Sequence, residues 1–108
     1  MPVSQAVAGG VYPGLTLKAW VQFANNGAII KSAGITSVTR AAAGQFNIVF
    51  STNMATTTYL VDAAPDEDYT IQTMHAQSRL VGSCTMLTLA SSGAAVDPAV
   101  SAYCAFYE

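Results

Sequence analysis

Apolar and polar residues alternate with a period of two along most of this chain, and no window of about 11 residues carries an apolar stripe at helical spacing. The cleanest alternation sets Leu15, Leu17, Ala19, Val21 and Phe23 against Thr16, Lys18, Trp20 and Gln22. Side chains of a strand point alternately to its two faces, so this segment is a strand with one apolar face. Asn26-Gly27 follows, and both residues tolerate the positive φ that a tight hairpin requires, so Ala28 to Lys31 is expected to be the return strand. Gly34 opens a turn, after which Ile35, Ser37 and Thr39 oppose Thr36, Val38 and Arg40. Gly44 closes a turn of small residues, and Phe46, Ile48 and Phe50 then share one face against Gln45, Asn47, Val49 and Ser51.

Beyond the connection Thr52 to Ala55, the segment Thr58 to Ala63 places Tyr59 and Val61 on one face. Pro65-Asp66-Glu67-Asp68 is the most polar stretch and is expected to be a loop. Tyr69, Ile71 and Thr73 lead a strand that continues to about Gln77. The chain bends or bulges near Gly82, and Thr85, Leu87 and Leu89 lie together on the strand that follows. Ser91-Ser92-Gly93 opens a loop that ends on Asp97-Pro98, a turn-initiating pair. The last strand runs from Val100 to Tyr107, with Val100, Ala102, Cys104 and Phe106 opposed to Ser101, Tyr103, Ala105 and Tyr107.

About eight short strands, punctuated every eight to twelve residues or so, predict an all-β fold, an antiparallel β-sandwich or flattened barrel. The first ten or so residues are small and polar, and 1–14 read as a flexible or partner-contacting arm, leaving 15–108 as a single domain. Trp20, Tyr103 and Tyr107 fall on the faces turned away from the expected core. They are therefore the candidate subunit interface, since aromatic rings supply much of the energy of such contacts.

Composition sharpens this picture. Hydrophobic residues make up 52% of the 108, but charged residues only 9%, against roughly 25% in an average soluble domain. A surface built from Ala, Ser and Thr packs readily against copies of itself, which points to a homo-oligomer. The net charge is −2, and Lys18, Lys31, Arg40 and Arg79 are too few and scattered to neutralise a phosphate backbone. Nucleic acid is therefore not an expected partner. No stretch reaches the ~18 to 20 apolar residues of a membrane-spanning helix, and Met1 to Gly10 lacks the charged and apolar regions of a signal peptide. The expected site of synthesis is the cytosol, where the protein stays or from which it leaves by cell lysis, with no insertion into a membrane.

Candidate chemistry is sparse. The only histidine, His75, sits within a strand and reads as a partly buried polar or interface residue rather than a general base. No nucleophile elbow or phosphate-binding loop is present. Asp66, Glu67 and Asp68 cluster in one loop, an exposed contact tip, a cation site or simply a solvated turn; the spacing does not fit an EF-hand. Asp97 before Pro98 reads as a turn cap. Cys84 and Cys104 lie on different strands in apolar surroundings, without zinc-ligand spacing, and are expected to be buried free thiols. No cofactor, metal site or catalytic residue is expected.

Lys18-Ala19-Trp20-Val21-Gln22-Phe23 with Asn26-Gly27 resembles a family of small β domains in tailed-phage virion proteins. Ile35 to Arg40, Gly44 to Thr52 with Met54, and Gly93 to Ser101 carry the same resemblance, which spans roughly residues 15–107. Such domains stand at the ends of tail fibres and tailspikes or form short virion proteins of their own. Gly34-Ile35 departs from the family's frequent Asn-Val pair, a mild change. The resemblance implies a homotrimeric or otherwise symmetric part of a virion.

The functional expectation is thus a non-enzymatic structural protein of a phage particle. Its first form is a tail-fibre or receptor-binding component that touches a glycan or protein of the host surface. A capsid decoration protein clamping neighbouring subunits is the alternative, and a carbohydrate-binding module a further one.

Overall fold

The computed structural model describes residues 14–66 and 73–108. Eight strands follow in chain order: β1 (Leu17–Ala24), β2 (Ile29–Ala33), β3 (Ile35–Ala42), β4 (Gln45–Phe50), β5 (Leu60–Asp66), β6 (Thr73–Arg79), β7 (Ser83–Leu89) and β8 (Ser101–Tyr107). All their pairings are antiparallel, and they form two four-stranded sheets, in the orders β2-β1-β8-β5 and β3-β4-β7-β6. The protein is an all-β sandwich.

The turns explain why the chain divides this way. At the β1–β2 hairpin the Gly27 N–H donates to the Ala24 carbonyl at 2.9 Å, and Asn26 Oδ1 accepts the Ala28 N–H at 3.0 Å. Gly27 takes the positive φ that this turn needs. Gly34 alone carries the chain from one sheet to the other, between β2 and β3. A Cβ there would lie 2.9 Å from the Lys18 carbonyl oxygen, so the crossing is tight enough to require glycine. β8 enters between β1 and β5, so the last strand completes the middle of the first sheet.

The core is the layer between the sheets. Ala19, Val21 and Phe23 of β1 and Ala102, Cys104 and Phe106 of β8 face Phe46, Ile48 and Phe50 of β4 and Cys84 and Met86 of β7. Rings interlock across the layer: Phe23 and Phe46 have centroids 4.8 Å apart, and Phe50 meets Phe106 edge-on at 4.9 Å. Offset and edge-on pairs of this kind add to the stability that burial alone confers. Alternation along β1, β4 and β8 therefore places the core side as expected.

The structure decides which face of β7 is inside, and two expectations change. On β7 the core takes Cys84, Met86 and Thr88, and Thr85, Leu87 and Leu89 point outward. Thr88 is tolerated because its hydroxyl donates to the Val96 carbonyl, leaving no unpaired polar group inside. Pro65 and Asp66 are not loop residues: β5 continues through them, opposite Ala102 and Ser101 of β8. β5 is an edge strand, where proline's missing N–H breaks no ladder. Glu67 and Asp68, and residues 1–13 of the expected arm, lie outside the described residues. Val100, expected on the core face of the last strand, precedes β8 and is exposed.

Candidate interaction face

The outward side of the β2-β1-β8-β5 sheet is set by strand register. One cross-strand row runs Ala33, Trp20, Ala105, Asp62 and the next Lys31, Gln22, Tyr103, Ala64. Trp20 and Tyr103 are thus diagonal neighbours, roughly 7–8 Å apart at the backbone and within reach of aromatic side chains. Trp20 has alanines as both cross-strand neighbours, and Tyr103 has Gln22 on one side and Ala64 on the other. Tyr103 is 47% exposed and Trp20 partly exposed. Gln22 lies between them and donates from Nε2 to Ser101 Oγ at 3.3 Å. Lys31 and Asp62 stand at the two edge strands and Lys18 at the start of β1, so no charged residue lies between Trp20 and Tyr103.

Tyr107 does not join this face as a free ring. It belongs to the same side of β8 but is only 7% exposed, already covered within the chain, which removes it from the accessible interface expected with Trp20 and Tyr103. Asp66 pairs with Ser101 at the end of β5.

The opposite outer face is of another kind. β3, β4, β7 and β6 present Ser37, Thr39, Asn47, Gln45, Thr85 and Gln77, and four of these polar groups bond one another in two pairs. Gln45 Nε2 donates to Gln77 Oε1 at 3.2 Å, and Thr85 Oγ1 donates to Asn47 Oδ1 at 3.4 Å. Its hydrogen-bonding capacity is partly spent at home.

His75 stands on that face of β6, opposite Leu87, and is exposed. Its one polar contact among the described residues is Nδ1 with the carbonyl of Ala76, its own neighbour, at 3.3 Å. Among the described residues nothing orients it as a base. No group of three or more His, Cys, Asp or Glu among the described residues is arranged to hold a metal.

Asp97 is more than a local turn cap. Its carboxylate takes the Arg40 guanidinium (Nε to both oxygens at 3.0 Å, and the terminal nitrogen to Oδ2 at 2.9 Å) and also the Gly44 N–H at 2.8 Å. Arg40 and the Gly44 N–H together hold this carboxyl below the usual aspartate range. Alternation gives no sign of a contact that joins segments so far apart in sequence.

Cys84 and Cys104 are both free and buried. Cys84 Sγ contacts Met86 Sδ at 3.7 Å, and burial pushes both thiols above their ordinary pKa. A second feature that the sequence pattern does not reveal is the Tyr59 hydroxyl. Buried between the sheets, it donates toward the Leu80 and Ser83 carbonyls at 2.8 and 3.0 Å, tying the β4–β5 connection to the β6–β7 hairpin. Burial raises its pKa well beyond the tyrosine range.

In comparisons with known proteins, no family model matches the chain, and neither a curated protein nor a solved structure matches it significantly.

Proposed function

We propose that this protein is a non-enzymatic structural component of a phage particle, placed on the tail and active in host attachment, and that it assembles as a homotrimer through the Trp20–Tyr103 face. One observation carries the reading: two aromatic side chains sit diagonally on this sheet face, with Ala33, Ala64 and Ala105 as cross-strand neighbours and no charged residue between them. A β-sandwich whose charges lie at its margins offers an interface core of aromatics with a polar rim, the anatomy of a protein–protein contact. The resemblance to tailed-phage β domains supplies the setting, and the sandwich architecture agrees with it.

Two measurements test this. Sedimentation of the full chain at micromolar concentration is expected to give a trimer, and a clean monomer removes the assembly claim. Labelling of purified particles with an antibody against the chain is expected to mark the tail; label over the capsid shell would instead favour a decoration protein.

A further inference from the structure

A cleft of about 230 Å³ opens at one end of the sandwich, lined by Lys18, Thr52, Asn53, Met54 and Glu108. Three separate parts of the chain build it. Lys18 comes from the start of β1, Thr52 to Met54 from the connection after β4, and Glu108 follows the last residue of β8. The parts are fixed to one another through backbone: Thr16 and Glu108 exchange N–H to carbonyl bonds at 2.9 and 3.1 Å, and the Met54 N–H donates to the Val81 carbonyl at 2.7 Å. The Glu108 carboxylate is held in place by accepting the Ala55 N–H, at 2.9 and 3.1 Å. Met54 is buried and gives the cleft an apolar wall.

What remains unspent defines the ligand. The Lys18 ammonium has no acidic partner within ion-pair distance among the described residues. The Thr52 hydroxyl and Asn53 amide make no side-chain hydrogen bond to the described residues, and a carboxylate that accepts one N–H keeps further lone pairs. The cleft therefore offers donors only, acceptors only and groups that do both. Its one side-chain cation and one side-chain anion counteract each other, so an anionic ligand meets Glu108 and a cationic ligand meets Lys18. A neutral molecule bearing several hydroxyls, each both donor and acceptor, satisfies all four polar groups and can lay a C–H face on Met54. The volume is below the roughly 300–1,000 Å³ of sites that enclose a drug-sized ligand, which fits one ring rather than a chain of them.

We propose that this cleft is a subsite for a single uncharged sugar ring, bound by Lys18, Thr52, Asn53 and Glu108. The inference deepens the attachment reading and rests on it for the source of the sugar, the surface of the host cell.

The full chain, isotope-labelled, is titrated by NMR with the methyl glycosides of glucose, galactose, mannose and N-acetylglucosamine, with N-acetylneuraminic acid and glucosamine as charged controls. At least one neutral glycoside is expected to shift the backbone amides of Thr52 to Met54 and Glu108, saturating with a Kd of about 1–10 mM, the weak range of a single small ligand. Asn53→Ala and, as a second exposed substitution, Thr52→Val are each expected to weaken this binding about fivefold, while Trp20→Ala leaves it unchanged. Absence of saturating shifts from every neutral glycoside at about 100 mM, well above that Kd range, overturns the proposal. So does tighter binding of either charged control. Sugar binding in a protein whose label falls on the capsid shell defeats the attachment reading alone, and a silent cleft in a tail-labelled protein defeats the sugar subsite alone.

Discussion

Arg40 and Asp97 lie 57 positions apart and meet across the end of the second sheet, where the carboxylate also receives the N–H of Gly44. The contact pins the long connection between β7 and β8 onto the β3–β4 turn. Both side chains remain about a third exposed, so the ion pair by itself is worth little. The hydrogen bond from the partly buried Gly44 N–H is the part whose loss leaves a backbone donor without its partner.

Asp97→Ala is accordingly expected to lower the melting temperature by roughly 3–8 °C, and Arg40→Ala by clearly less. The native environment favours the ionised carboxylate, so the folded pKa is below the unfolded one. The resulting stability is complete above about pH 4, where an unfolded aspartate is ionised, and is lost as pH falls through the folded value. Thermal melts from pH 7 to pH 2 check this. The wild type should lose its advantage over Asp97→Ala at the acid end, and an unchanging difference between the two would contradict the assignment.

Gly44 sits beneath the same connection with φ of 67°, and a Cβ on it would lie 2.6 Å from both the Thr88 carbonyl oxygen and the Val96 N. Those are backbone atoms and cannot swing aside. Gly44→Ala is expected to cost more than about 3 kcal/mol or to prevent folding, through strain and lost ladder bonds together. Gly93→Ala, at a similar φ but with nothing within 4 Å, is expected to cost only the ~1–2 kcal/mol of the left-handed conformation. Urea unfolding of the two variants measures the difference.

Tyr59→Phe retains the ring that packs edge-on against Phe50 at 5.5 Å but removes the hydroxyl bonded to Leu80 and Ser83. A loss of about 1–2 kcal/mol is expected, the cost of leaving a partly buried carbonyl without its donor. Urea unfolding detects it, and an unchanged midpoint would mean that water replaces the hydroxyl.

Both thiols face the core from opposite sheets, so a reductant is expected to leave the melting temperature unchanged. A bridge between Cys84 and Cys104 would close a loop of about 20 residues and add ~3 kcal/mol. Alkylation by iodoacetamide should be slow in the native protein and fast in urea, because burial raises both thiols above their ordinary pKa. Rapid native labelling, or a melting temperature that drops with reductant, would contradict free buried thiols.

Period-two alternation made the sandwich legible where one face is strictly apolar, as in β1 and β4. It was ambiguous in β7, where both faces carry residues able to pack and a buried threonine is compensated only by a distant carbonyl. Nothing local marks Thr88 as an inside residue, because its partner Val96 lies in an irregular segment. The same holds for Asp97, whose partners come from β3 and the following turn. The polarity of Pro65 and Asp66 suggested a loop, yet the edge position of β5 that admits them is a property of the topology. The outward placement of Trp20 and Tyr103 follows from alternation alone; their adjacency depends on β8 pairing with β1, which joins the two ends of the domain. Tyr107 shows the limit of the same logic, since facing outward from a strand does not keep a ring uncovered.

If the Trp20–Tyr103 face assembles the protein, stability of the fold and association should separate cleanly. Trp20 is only partly buried within one chain and flanked by Ala33 and Ala105, so Trp20→Ala leaves the ring pairs of the core intact. Its effect on the unfolding of a single chain should stay within about 1 kcal/mol. Truncating an aromatic anchor at the centre of an interface costs at least ~2 kcal/mol, which weakens association about 30-fold. Tyr103→Ala should act in the same direction. His75→Ala, on the opposite sheet beside Leu87, should change neither property. Sedimentation across a hundredfold concentration range, paired with circular dichroism on the same samples, reads both. Folded variants that stay trimeric at the wild-type concentration would exclude this face, and a disruptive His75→Ala would move the interface to the hydroxyl- and amide-covered sheet.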